Sequence, residues 1–211
     1  MDRDGASVIG FAHRGGRAHA PDNSLAAFIL ALAKGARGLE SDIWLDPDDQ
    51  PLLQHGSPRR LRERPVALAE LFAVCGTSYD LSLDIPSGTA GPVVRVARAA
   101  GFDLRRLWLC GRGAEPLSWR AVDPDVRLVT DTRLQHALPD PGRYLDRLAA
   151  GGVDAVNLRR GRWTRRLVGR VHAAGLLSFA WDVQSARRLH RVLALGVDAV
   201  YSDSVDLLAQ V

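Results

Sequence analysis

Short apolar runs alternate with longer amphipathic stretches along this chain. Runs rich in β-branched and aromatic residues read as strands. They predict strands over Val8–Ala12, Gly38–Ile43, Asp80–Ile85, Leu107–Cys110, Arg127–Val129, Ala155–Leu158, Leu176–Trp181 and Ala199–Ser202, with a short extra strand at Pro51–Gln54. Apolar positions at three- and four-residue spacing predict helices over Ser24–Lys34, Ala67–Val74, Pro92–Ala100, Tyr144–Ala150, Thr164–Ala174, Ser185–Leu195 and Ser204–Gln210, and a shorter helical pattern covers Glu115–Ala121. Strict strand-then-helix alternation implies a parallel sheet, and eight such units imply a closed, compact (β/α)8 TIM barrel. A doubly wound open sheet is the other arrangement the alternation allows.

A near-repeat supports the barrel. Gly35–Leu39, Gly152–Val156 and Gly196–Val200 each place a glycine after a helix and an apolar residue at the start of a strand. Glycine supplies the left-handed residue that ends a helix and turns the chain into the next strand. With no low-complexity linker, the expectation is one domain over residues 1–211.

In such a barrel, reactive groups lie at the C-terminal strand ends and in the loops that follow. His13 follows the first predicted strand, Glu40 and Asp42 lie late in the second, His55 follows the extra strand and Asp84 lies at the end of the third. Glu40 and Asp42 are two apart on a strand and share a face. Two carboxylates side by side repel unless a cation sits between them, and oxygen ligands suit a hard divalent ion. Imidazole as a class titrates near neutral pH and supplies acid or base. The set is suited to phosphoryl transfer.

Composition adds limits. Apolar residues make up 46% and charged residues 25% of the 211, as in a globular protein. The net charge of +4 is carried almost wholly by arginine, Lys34 being the single lysine. No basic stripe is interleaved with stacking aromatics, so no nucleic-acid partner is expected, and Arg59–Arg64 reads as a solvated loop. Cys75 and Cys110 have neither metal spacing nor a disulfide framework. With no signal peptide or apolar span, the expectation is a cytoplasmic protein without stable membrane insertion. The sequence leaves the oligomeric state open.

The motifs H-R-G-G at His13, P-D-N-S at Pro21, G-L-E-S-D at Gly38, L-L-Q-H at Leu52 and L-S-L-D-I at Leu81 together resemble the glycerophosphodiester phosphodiesterase family, whose usual pattern is H-R-G, P-E-N-T, E-x-D, H-D and E-I-K. Phe179–Val183 resembles the family's W-T-V-N strand, and Gly196–Asp203 its closing G-V-D-G-I-I-T-D. The resemblance implies a (β/α)8 barrel that cleaves a small phosphodiester with Mg²⁺ or Ca²⁺, through a cyclic phosphate that can then be hydrolysed, a second step on which the sequence is silent. It implies Glu40, Asp42 and Asp84 as metal ligands, His13 and His55 as general base and acid, and Arg14 as a phosphate contact. Sphingomyelinase D-like phospholipases share the superfamily and carry aspartate at the position of Asp84.

Two departures stand out. The family's H-D is His55-Gly56 here, and the lysine of E-I-K falls on Pro86. Arg112 or Arg159, each following a strand end, could supply the missing charge, and Trp181 could wall the substrate pocket. Two other readings remain: a lysophospholipase D-like lipid phosphodiesterase, and a barrel that binds phosphodiester or metal without turnover.

Overall fold

Eight parallel strands close into a ring in the computed structural model, which describes residues 8–56, 65–132 and 141–211. They are β1 (Ile9–Ala12), β2 (Gly38–Leu45), β5 (Asp80–Asp84), β6 (Leu107–Arg112), β7 (Arg127–Asp131), β8 (Ala155–Arg159), β9 (Leu177–Trp181) and β10 (Ala199–Ser202). β1 pairs with both β10 and β2, which shuts the ring. β3 (Pro51–Leu53) and β4 (Val66–Ala67) form a small antiparallel extension of β2. The helices are α1 (Leu25–Ala33), α2 (Leu68–Cys75), α3 (Ala90–Ala99), α4 (Pro141–Ala150), α5 (Arg165–Ala173), α6 (Ala186–Leu193) and α7 (Val205–Leu208). The fold is the (β/α)8 barrel rather than the open sheet. Arg59–Arg64 and His136 lie outside the described residues.

The pattern of side chains explains the ring. Leu39, Leu81, Leu83, Leu109 and Val156 belong to the large buried cluster that includes the inner faces of the helices. The alternate positions Phe11, Trp108, Val129, Phe179 and Tyr201 form a separate cluster inside the barrel. Phe11 stacks on Tyr201 at 4.9 Å between ring centres, and Trp108 packs against Phe179 at 5.1 Å. The interior is therefore a packed core beneath the mouth, as expected of this fold.

Helix ends follow local chemistry. Ser24 accepts a hydrogen bond from the Ala27 amide at the start of α1, and Thr164 does so from Leu167 at the start of α5. Gly35, Gly152 and Gly196 adopt φ of +88°, +79° and +85°, so the predicted repeat is a repeated left-handed turn. Glu115–Ala121 departs from expectation: Pro116 opens a short 3-10 turn over Glu115–Ser118 rather than an α-helix. No helix among the described residues is long and apolar enough to cross a membrane.

Candidate active site and metal centre

β1 delivers His13 and Arg14 into a tight 3-10 turn, and Arg14, Gly15 and Gly16 all take positive φ. Gly15 has φ +80°, and a Cβ there would meet the Ala27 side chain at 2.8 Å. The turn is held from three directions. Arg14 donates its backbone N–H to Glu40 Oε2 at 2.9 Å. The Asn23 amide donates to the Arg14 carbonyl, and Asn23 Oδ1 accepts from the buried Ser41 hydroxyl at 2.8 Å. The P-D-N-S segment thus divides its work: Ser24 caps α1, while Asn23 ties the His13 turn to the outer face of β2.

His13 Nδ1 lies 2.5 Å from Asp203 Oδ1, just beyond β10. A carboxylate there accepts the Nδ1 proton and leaves Nε2 with its lone pair in the neutral ring. Nε2 lies 3.8 Å from Glu40 Oε2. Burial works against ionisation of Asp203, but bonds from His13 and Arg17 outweigh it and hold the carboxyl below its ordinary range. Asp203 is the member of this cluster that sequence reasoning did not single out.

Glu40, Asp42 and Asp84 each offer an oxygen within 4.8 Å of the others, so the cluster could hold a metal ion. In the parallel register Asp42 lies opposite Asp84. Burial first, then the Asp42 and Asp84 charges, push Glu40 well above its usual pKa. Asp84 is pushed up to about 7 by desolvation against the barrel and by the charges of Asp42 and Asp131. Asp84 is itself exposed where it lines the cleft, so solvent screens part of that effect. Asp42 Oδ2 is buried without a hydrogen bond, although Arg14 Nε stands 3.3 Å away. Three crowded carboxylates, one with a buried unsatisfied oxygen, fit a hard divalent cation such as Mg²⁺ or Ca²⁺.

His55 follows β3 with Gln54 between, and its Nδ1 lies 3.0 Å from Asp42 Oδ1 while half its side chain is exposed. Asp42, His55, Asp84, Pro86, Arg112 and Asp131 line a cleft of about 520 Å³ at the barrel mouth. Arg112 occupies the last position of β6, inside the cleft and opposite Asp131 of β7. Arg159 and Trp181 are placed otherwise. They sit opposite one another at the ends of β8 and β9, Arg159 5.9 Å over the Trp181 ring and bonded through Nε to Asp182 at 2.9 Å. Of the two arginines predicted as a substitute for lysine, Arg112 is the one beside the carboxylates. Asn157 of β8 adds a buried Oδ1 without a hydrogen bond.

Other residues fall outside the site. Lys34 and His19 both meet Asp206, and His172 bonds Asp198 at 2.8 Å. His190 is exposed on α6.

Comparison with known proteins agrees with the resemblance seen in the motifs. The model of the glycerophosphoryl diester phosphodiesterase family matches residues 13–84. YhdW of Bacillus subtilis, named as a candidate glycerophosphodiester phosphodiesterase, is 22% identical over 93% of this chain and 95% of its own. Bovine glycerophosphodiester phosphodiesterase 1 is 47% identical, but over 26% of this chain and 16% of its own length. Among solved structures, a candidate glycerophosphodiester phosphodiesterase of Galdieria sulphuraria superposes with a TM-score of 0.82 at 20% identity, covering 97% of this chain and 98% of that one. A phosphodiesterase of Oleispira antarctica, solved with its product sn-glycerol-3-phosphate, gives 0.79 at 19% identity over 95% of both chains.

Proposed function

We propose that this chain is a divalent-cation-dependent phosphodiesterase that cleaves glycerophosphodiesters to an alcohol and glycerol phosphate, acting as a single barrel domain in the cytoplasm. The observation that carries this is the set of three mutually close carboxylates flanked by two histidines, each histidine bonded to its own carboxylate. The family match over residues 13–84 and the product-bound relative support the substrate class.

Glu40, Asp42 and Asp84 would hold Mg²⁺ or Ca²⁺, which when bound would stabilise charge on a non-bridging phosphate oxygen. His13, oriented by Asp203, has its Nε2 lone pair available to take the proton of the attacking hydroxyl. That hydroxyl is the glycerol group next to the ester: its oxygen bonds phosphorus, the bond to the alcohol breaks, and a cyclic phosphate results. His55, at the exposed rim, donates a proton to the departing alcohol oxygen. Water then opens the ring to give glycerol phosphate. Arg112 supplies the positive charge that the family places on lysine at the position of Pro86, and Arg14 braces Asp42. Asn157 Oδ1 accepts from a glycerol hydroxyl.

The test is cleavage of a panel of glycerophosphodiesters and lysophospholipids with and without Mg²⁺ or Ca²⁺, followed by phosphorus NMR so that a cyclic phosphate is visible. Divalent-dependent cleavage of the glycerophosphodiesters that is lost in His13→Ala is the expected result. Tight metal binding without cleavage of any substrate would overturn the enzymatic reading.

A further inference from the structure

Between residues 155 and 197 the sequence holds nine arginines and one acidic side chain, Asp182. Elsewhere arginines are commonly neutralised by carboxylates, as in Arg98–Asp123, Arg106–Asp80 and Arg127–Asp154. The basic segment differs. Asp182 is shared by Arg159 and Arg160, and no carboxylate among the described residues pairs with Arg187, Arg188 or Arg191. All three are exposed on α6, whose Leu189 and Val192 are buried. Arg191 stands three and four residues from Arg188 and Arg187, so like charges neighbour one another on the helix surface, an arrangement that destabilises a helix.

These side chains enclose space. Arg160, Gln184, Ser185, Arg187, Arg188 and Arg191 line a cleft of about 540 Å³, within the range of small-molecule sites. Arg160 is fixed in place, its Nε donating to the Asp182 carbonyl at 2.6 Å. Gln184 is fixed too, its Oε1 accepting from the Asp203 amide at 2.9 Å, which leaves its amide N–H₂ for another partner. The cleft belongs to the loops after β8 and β9, on the same face as the carboxylate centre, yet shares no lining residue with the cleft of Asp42 and Asp84.

We propose that this arginine cleft is a binding site for a phosphate group, distinct from the carboxylate centre. Guanidinium groups present paired N–H donors that match phosphate oxygens, so several converging on one concave surface select a compact dianion. The phosphate is carried either by a soluble phosphomonoester or by a phosphatidate headgroup. The site stands whether or not the carboxylate centre turns over substrate.

The experiment is calorimetric titration of the full chain with inorganic phosphate at about 0.15 M salt, where long-range attraction is screened. The triple variant Arg187→Gln, Arg188→Gln, Arg191→Gln keeps good helix formers on α6, and circular dichroism verifies its fold. Saturable binding that weakens at least tenfold in the triple variant and persists in Glu40→Gln is expected. Equal affinity in the triple variant, or loss in Glu40→Gln, would place phosphate elsewhere and overturn the proposal. Co-sedimentation with phosphatidate vesicles, against phosphatidylcholine vesicles, separates the two sources: arginine-dependent pelleting that free phosphate competes away identifies the headgroup, and phosphate binding without pelleting identifies the soluble ester. Arginine-dependent retention of single-stranded RNA with no saturable phosphate binding would replace the site with a general polyanion surface.

Discussion

His13 and Asp203 are 190 residues apart in sequence and meet at 2.5 Å. They meet because β1 and β10 are neighbours in register, Ala12 opposite Ser202, so the next residue on each strand reaches the same point of the rim. Asp203→Asn should therefore lower kcat by roughly 10²-fold or more with little change in KM, as when a base loses its tautomer and orientation. Steady-state kinetics across pH check this. An unchanged rate and pH profile would reduce Asp203 to a strut for the His13 turn and Arg17.

Arg112 and Arg159 can be separated by mutation. Arg112 lines the carboxylate cleft, whereas Arg159 is engaged by Asp182 and Trp181. Arg112→Ala should cost about tenfold or more in kcat/KM, in line with losing a charge-assisted contact worth roughly 1.5–3 kcal/mol. Arg159→Ala should stay within about twofold of the parent protein. The reverse order would assign the lysine's role to the β8 side of the mouth.

Removing the cation has a thermodynamic signature. A ligand present at about 100 times its Kd stabilises the folded state by about 2.7 kcal/mol, so Mg²⁺ or Ca²⁺ should raise the Tm of the parent protein. Glu40→Gln should keep or raise Tm in chelator, since it removes a buried carboxyl whose ionisation burial and its neighbours oppose, and should abolish most of the metal-dependent gain. Thermal melts with and without chelator measure both.

Asp84 fixes a direction with pH. Its folded-state pKa of about 7 lies above the ordinary aspartate value, so between these two values the folded state binds more protons than the unfolded. Stability in chelator must then fall as pH rises through that window and level off above about 7. Melts in EDTA from pH 5 to pH 8 should show Tm declining by a few degrees, and Asp84→Asn should flatten the slope. A rise over the same range would contradict the crowding of the three carboxylates.

Asn23 has φ +51° and accepts from a buried serine hydroxyl. Asn23→Ala strands the Ser41 hydroxyl and strains the turn, so a loss of about 1–3 kcal/mol is expected in urea unfolding. Asn23→Asp keeps an acceptor at this position and should recover part of that loss.

The strands were legible because their apolar runs are bounded by glycine and polar turns, and most observed strand limits fall within two residues of the predicted ones. Those two residues matter at β6 and β7. Predicted strands ending at Cys110 and Val129 stop short of Arg112 and Asp131, which the structure keeps on the strands and in the cleft. Polar residues at a barrel mouth look like loop in sequence, since their partners lie on other strands. β4 was missed for a different reason: a two-residue strand has no periodicity to read. Glu40, Asp42, Asp84 and the two histidines were visible because strand alternation and strand ends are local features. Asp203 depends on ring closure, which sequence shows only to a reader who places the last strand beside the first.

The aromatic layer of Phe11, Trp108, Phe179 and Tyr201 has a consequence for traffic. Among the described residues it fills the barrel axis, so the proposed substrate would enter and its products would leave by the mouth above it. On the proposed function, the cation, the diester, the incoming water and both products would share one doorway. On the proposed two-step reaction the alcohol would leave before water follows it in, and glycerol phosphate, last to depart, would stand where the next substrate docks. Product inhibition by glycerol phosphate, competitive with the diester, would then follow from the proposed reaction and this single opening.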